Sequence, residues 1–186
     1  MDHSKTQFSC IILAGGEGKR VDGRDKGLID YNGKTLVKHV IDVVKPQTDE
    51  IIISANRNIE TYEAYGYRVI SDAGKDYQGP LAGIAAALPF CQNEWVLITP
   101  CDMPLLPSNI IEKLSQNKTG SNLCIAEVDN RFQLVFLVNK SLLPSILQSL
   151  QHGQLRLMQW VKSQNPVAHP FSESQNFKNF NDTKDL

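Results

Sequence analysis

Four strand-sized apolar runs, separated by stretches with helical spacing, occupy the first two thirds of this chain and restrict it to one kind of architecture. The runs are Ser9–Ala14, Glu50–Ser54, Arg68–Ser71 and Trp95–Thr99. Continuous apolar centres, rather than strict alternation, mark strands buried on both faces of a sheet. Between them, Thr35–Val44 sets Leu36, Val37, Val40, Ile41 and Val44 at helical spacing and stops before Pro46. Arg57–Tyr65 reads as a weaker helix. Leu81–Leu88 is an alanine-rich helix behind Gly79-Pro80, with Pro80 suited to a first turn. Ser108–Leu114 is a helix after Pro107. Strand and helix in alternation predict a single doubly wound α/β domain, with a mostly parallel sheet covered on both faces.

The last third is less regular. Leu123–Val128 and Phe132–Val138 read as strands joined by a turn at Asp129-Asn130, giving one antiparallel region at an edge. Ser141–Leu150 and Leu155–Val161 read as helices, Pro166–Phe171 and Phe177–Phe180 as short strands. No repeat or interdomain linker interrupts the chain, so residues 1–186 are expected to form one domain. A net charge of −1 argues against a surface devoted to nucleic acid. No apolar run approaches the roughly 20 residues that span a bilayer. Met1–Gln7 is polar and lacks the pattern of a signal peptide. Cys10, Cys91, Cys101 and Cys124 form no CxxC pair and mostly lie in apolar stretches, as buried reduced thiols would. The expected location is the cytoplasm, with no membrane and no nucleic-acid partner.

Chemistry is first suggested where the first strand ends. Leu13-Ala14-Gly15-Gly16-Glu17-Gly18-Lys19-Arg20 leaves an apolar strand for a glycine-rich loop. Such loops let backbone amides approach an anion, and Arg20 and Lys26 add charge where a triphosphate would lie. A tight turn with solvated charges is the plainer alternative. The spacing fits neither a Walker loop nor a dinucleotide fingerprint. Three further strands end in polar groups: Asn56, Asp72 and Asp102. Each alone is explained by a cap or turn, but four strands delivering polar groups to one sheet edge describe a site. Asp102, stiffened by Pro100 and Pro104, is a single carboxylate of the kind that holds Mg²⁺ beside phosphates.

Read onward, LAGGEGKRVDGRDKGL followed by Asn32-Gly33-Lys34 resembles the signature of sugar-nucleotide and cofactor nucleotidyltransferases. Its DKGL form resembles the molybdenum cofactor guanylyltransferase family in particular. The resemblance implies the Rossmann-like fold of nucleotide-diphospho-sugar transferases. It also implies nucleotide contacts from Leu13, Ala14, Gly15 and Gly16, phosphate contact from Lys26, and further contacts from Asn56 and Asp72. Pro100-Cys101-Asp102-Met103-Pro104 is similar to the family's metal-binding turn, and Gly79-Pro80-Leu81-Ala82-Gly83 to its GPLAG segment. One departure is Val21-Asp22 where the family commonly has Met-Gly; Asp22 is expected to face solvent. Arg156, in a segment resembling GxxRxM, is implied to meet the pterin acceptor, with a surface arginine as the alternative. Asn179 and Asn181 resemble the family's closing NxN. On a strand both would face the acceptor, or Asn181 would assist the metal; a plain strand-end turn is the alternative.

The implied reaction is transfer of GMP from GTP to the phosphate of molybdopterin, releasing pyrophosphate. Asp102 would hold Mg²⁺ and Lys26 and Arg20 would stabilise the leaving group. Molybdenum-insertion proteins and molybdoenzyme chaperones would be its partners. The alternatives are a cytidylyl- or uridylyltransferase of the same fold and a non-enzymatic nucleotide- or cofactor-binding protein. The second glycine of LAGG, where related cytidylyltransferases tend to have LAAG, favours guanine.

Overall fold

The computed structural model describes residues 7–15, 25–72, 79–116, 118 and 120–180. Its main sheet has seven strands: β1 (Phe8–Leu13), β4 (Glu50–Ser54), β5 (Arg68–Ile70), β6 (Trp95–Pro100), β7 (Leu123–Val128), β8 (Arg131–Asn139) and β9 (Val167–Pro170), while β2 (Asp30–Tyr31) and β3 (Lys34–Thr35) form a separate small hairpin. The main sheet runs in the order β5-β4-β1-β6-β8-β7-β9. β1 pairs in parallel with β4 and β6, and β4 with β5. Only β8 is reversed, antiparallel to both β6 and β7, after which β9 again pairs in parallel with β7. The antiparallel pairing expected of the Leu123–Val128 and Phe132–Val138 strands is present, but the reversed strand lies two places in from the β9 edge rather than at an edge.

Two cores, one on each face, follow from the two-residue period of the strands. Cys10 and Ile12 of β1, Ile51 and Ile53 of β4, and Leu97 of β6 pack on one face. Ile11, Ile52, Val96 and Ile98 of the same strands pack on the other. The first face is covered by α1 (Leu36–Val44), α2 (Ile59–Glu63) and α4 (Ile110–Ser115). The second is covered by α3 (Pro80–Ala87), α5 (Leu143–Gln151) and α6 (Leu157–Ser163). The stripe read on α1 is fully inward: Leu36, Val37, Val40, Ile41 and Val44 are all buried. Each such side chain contributes roughly 1.5–3 kcal/mol on leaving water. The weaker helix expected over Arg57–Tyr65 shortens to α2, because Asn58 takes a left-handed conformation (φ 51°) at its start.

Two tight turns need left-handed residues. Asn32 and Gly33 (φ 51° and 79°) close β2 onto β3, and Asp129 and Asn130 (φ 49° and 58°) close β7 onto β8. Both are two-residue hairpin turns whose twist suits the flanking strands. The strand expected over Phe177–Phe180 does not form. Ser174–Phe177 is a 3-10 turn instead. Phe177 and Phe180, three residues apart, are both buried while Lys178 and Asn179 are exposed, a spacing of three that a strand cannot satisfy.

Candidate functional site

A pocket opens at the carboxyl ends of β1, β4, β5 and β6, where an open α/β sheet offers space for a ligand. Leu13, Gly15, Ser54, Asn56, Asp72, Gly79, Pro80, Gly83, Pro100 and Leu134 line it. Four residues expected to meet a nucleotide, Leu13, Gly15, Asn56 and Asp72, are therefore brought together. Ala14 is buried beside them, and its amide donates to the Ser54 carbonyl at 2.8 Å. Asn56 is held in turn: its side-chain oxygen accepts from the Ser71 hydroxyl at 2.9 Å and the Asp72 amide at 3.1 Å. This fixes the end of β5 against the end of β4. Gly83 allows α3 to close the pocket floor, since a Cβ there would lie 2.5 Å from the Ser54 hydroxyl oxygen. Gly16, Arg20, Asp22 and Asn181 lie outside the described residues.

Beyond the pocket, β6 ends in the turn carrying Asp102. Lys26 Nζ donates to Asp102 Oδ2 at 3.3 Å, with side chains 23% and 13% exposed. The other carboxylate oxygen, Oδ1, is buried and has no hydrogen-bond partner among the described residues. Burial holds the Asp102 carboxyl above its ordinary range, against the pull of the Lys26 ammonium. A buried carboxylate oxygen left without a donor is a costly arrangement for a structural residue and a suitable one for a cation ligand. Among the described residues no cluster of three or more His, Cys, Asp or Glu could hold a metal. A cation at Asp102 would therefore take most of its oxygens from phosphate and water, which suits Mg²⁺ better than zinc.

Sequence spacing gives no hint of the environment of Asp25, the neighbour of Lys26. Asp25 is buried, and Oδ1 accepts from the Tyr62 hydroxyl at 2.6 Å and the Gly27 amide at 3.2 Å. Oδ2 accepts from Asn58 Nδ2 at 3.0 Å and is 3.5 Å from Arg57 Nε. Burial pushes the Tyr62 hydroxyl far above its ordinary range, so it stays protonated and donates. The DKGL run announces that Asp25 adjoins Lys26, but its partners lie 33 and 37 residues away.

Asn179 and Arg156, two of the expected acceptor residues, stand on different segments of the described chain. Asn179 is exposed between two buried aromatic anchors. Phe180 donates its amide to the Asp102 carbonyl at 2.9 Å and packs edge-on against Tyr31 at 4.7 Å. Asn179 is thereby carried close to the Asp102 turn. Arg156 caps α6 and is exposed. The carbonyl of Leu155 before it lies 3.5 Å from the point a Gly79 Cβ would occupy, so this segment abuts the pocket rim at Gly79.

Residues 10–167 match the family described as MobA-like NTP transferase domain. The chain belongs to that family. It is 40% identical to a molybdenum cofactor guanylyltransferase of Vibrio parahaemolyticus serotype O3:K6, over 97% of this chain and 94% of the relative. Among solved structures it resembles the molybdopterin-guanine dinucleotide biosynthesis protein A of Archaeoglobus fulgidus, with a TM-score of 0.77, 22% identity and coverage of 95% and 94%. It also resembles a Mycobacterium tuberculosis protein solved in complex with manganese, with a TM-score of 0.69, 15% identity and coverage of 90% and 89%. The fold of this MobA-like transferase is thus that of the nucleotidyltransferases, and its full-length relatives are molybdenum cofactor guanylyltransferases.

Proposed function

We propose that this MobA-like transferase moves the GMP part of GTP onto the phosphate of molybdopterin, using Mg²⁺ and releasing pyrophosphate. One observation carries the assignment of the site. The Lys26–Asp102 pair, with an unpartnered Asp102 oxygen, stands beside a pocket built from the ends of four parallel strands. Leu13, Ala14, Gly15 and Gly16, with Asn56 and Asp72, are the residues we assign to the nucleoside and its first phosphate. Lys26 and Arg20 are assigned to the pyrophosphate end, and Arg156, Asn179 and Asn181 to the acceptor.

An oxygen of the acceptor phosphate attacks the α-phosphorus of GTP. The bond from that phosphorus to the bridging oxygen breaks, and the electron pair departs with pyrophosphate. The attacking phosphate is already anionic at neutral pH, so no general base is needed. Positioning and charge stabilisation do most of the work in this class of transfer. Lys26 supplies a fixed positive charge to the leaving group. Asp102 would hold the divalent cation, which supplies charge neutralisation at the phosphate oxygens when bound. The manganese complex of the Mycobacterium tuberculosis fold relative supports a divalent cation; the single carboxylate supports Mg²⁺.

No helix among the described residues is long and apolar enough to cross a membrane. We read 1–186 as a single cytoplasmic domain, with molybdenum-insertion proteins and molybdoenzyme chaperones as partners. Incubation with GTP, Mg²⁺ and molybdopterin, followed by mass spectrometry, should yield the guanine dinucleotide and one pyrophosphate per product. Product formed from CTP and not from GTP would overturn the guanine assignment.

A further inference from the structure

We propose that Asp25 is a positioning residue for the transfer, fixing the turn that presents Lys26 and tying it to the loop that lines the nucleotide pocket. Its carboxylate is held by groups from three places in the chain. Gly27 belongs to its own 3-10 turn, Lys26–Leu28. Arg57 and Asn58 follow the pocket residue Asn56. Tyr62 is in α2, wholly buried on the sheet's first face.

Three hydrogen bonds and an ion pair hold the carboxylate: Oδ1 accepts from Tyr62 and Gly27, and Oδ2 accepts from Asn58 and pairs with the Arg57 guanidinium. The Asp25 side chain is 3% exposed and the Arg57 side chain 32%, so the buried negative charge is balanced by a cation with partial access to water. Both oxygens of Asp25 are engaged by the protein, which separates it from Asp102, where one oxygen has no hydrogen-bond partner among the described residues. Asp25 therefore supports the site without belonging to it.

The local geometry is tight. The Tyr62 hydroxyl passes over Gly27 so closely that a Cβ at Gly27 would lie 2.4 Å from it and 3.2 Å from the Cys101 sulfur. Only glycine leaves the hydroxyl its path to Asp25. Lys26 thus sits between two immobilised residues, from where its side chain reaches Asp102. The anchors Arg57 and Asn58 are the direct continuation of Asn56. Movement of the pocket loop is thereby transmitted to the lysine turn through one carboxylate. Reaction rates respond steeply to such placement.

Asparagine at position 25 tests this cleanly. Whichever way the amide turns, its NH₂ group meets a group that can only donate, the Gly27 amide or the Arg57 guanidinium, so anchorage and charge are lost with little change in volume. The inference rests on the guanylyltransferase reading, so dinucleotide formation is the readout. Wild type, Asp25→Asn, Lys26→Met and the double variant are compared by kcat/KM for GTP, with melting temperatures alongside. If Asp25 acts through Lys26, Asp25→Asn lowers kcat/KM on the order of tenfold to a hundredfold while Lys26 is present. In the Lys26→Met background its further effect is much smaller. A purely structural role would lower both backgrounds equally, and equal losses overturn the proposal, as does full activity of Asp25→Asn. Should Asp25→Asn fail to fold, Tyr62→Phe enters the same cycle, removing one donor while keeping the packing. A wild type that makes no dinucleotide overturns the guanylyltransferase reading and this inference with it. A working wild type with equal losses overturns only the role of Asp25.

Discussion

Asp102 carries the sharpest contrast at the scale of a single residue. A carboxylate that is mostly buried, with one oxygen lacking a donor among the described residues, costs the fold stability that a bound cation can return. Asp102→Asn should therefore lower turnover by several kcal/mol of transition-state stabilisation, on the order of a thousandfold. Its melting temperature in the absence of metal should stay at or above that of the wild type. Near-native turnover with Mg²⁺, or a melting temperature several degrees lower, would show that Asp102 has a different task. The position of this residue can be read from the sequence, because proline on either side and an apolar strand before it leave few other conformations. Asp25 cannot be found that way. Its significance lies in Asn58 and Tyr62, which no local pattern connects to it.

Elements differ in the same respect. Strands β1, β4 and β6 and helix α1 announce themselves, because burial on both faces or along one stripe writes a period into the sequence. The β2–β3 hairpin has two residues per strand and no period to detect. The aromatic arm ending at Phe180, expected as a strand, is held instead by Phe177 and Phe180 at a spacing of three. Helix α3 illustrates how an element can be locally imperfect for the sake of its neighbour. Gly83 weakens the helix relative to alanine by about 1 kcal/mol, and the Ser54 hydroxyl occupies the space a methyl group would need. Gly83→Ala should raise the melting temperature by about 2–4 °C when introduced into Ser54→Ala. In the native background, where the hydroxyl must first be displaced, the gain should be smaller or reversed. Equal shifts in the two backgrounds, measured calorimetrically, would mean that the close approach carries no energy.

Across the whole molecule, stability should depend on acid through the β9 edge. His169 is buried on β9, its Nε2 has no hydrogen-bond partner among the described residues, and burial followed by the Lys113 charge holds its imidazole below the ordinary 6.5. The unfolded chain then takes up a proton at pH values where the folded chain does not. Stability should fall as pH drops from about 6.5 through the folded value, and be unaffected by this group above 6.5. His169→Leu should flatten that part of the profile, and an unchanged profile would assign the acid sensitivity elsewhere. The same sheet order sets a problem for synthesis. β1 emerges first from the ribosome but lies between β4 and β6, its six residues pairing with Glu50–Ser54 on one side and Trp95–Pro100 on the other. Until translation has passed Pro100, an apolar strand waits with one flank bare, and this interval is when a chaperone has most to shield.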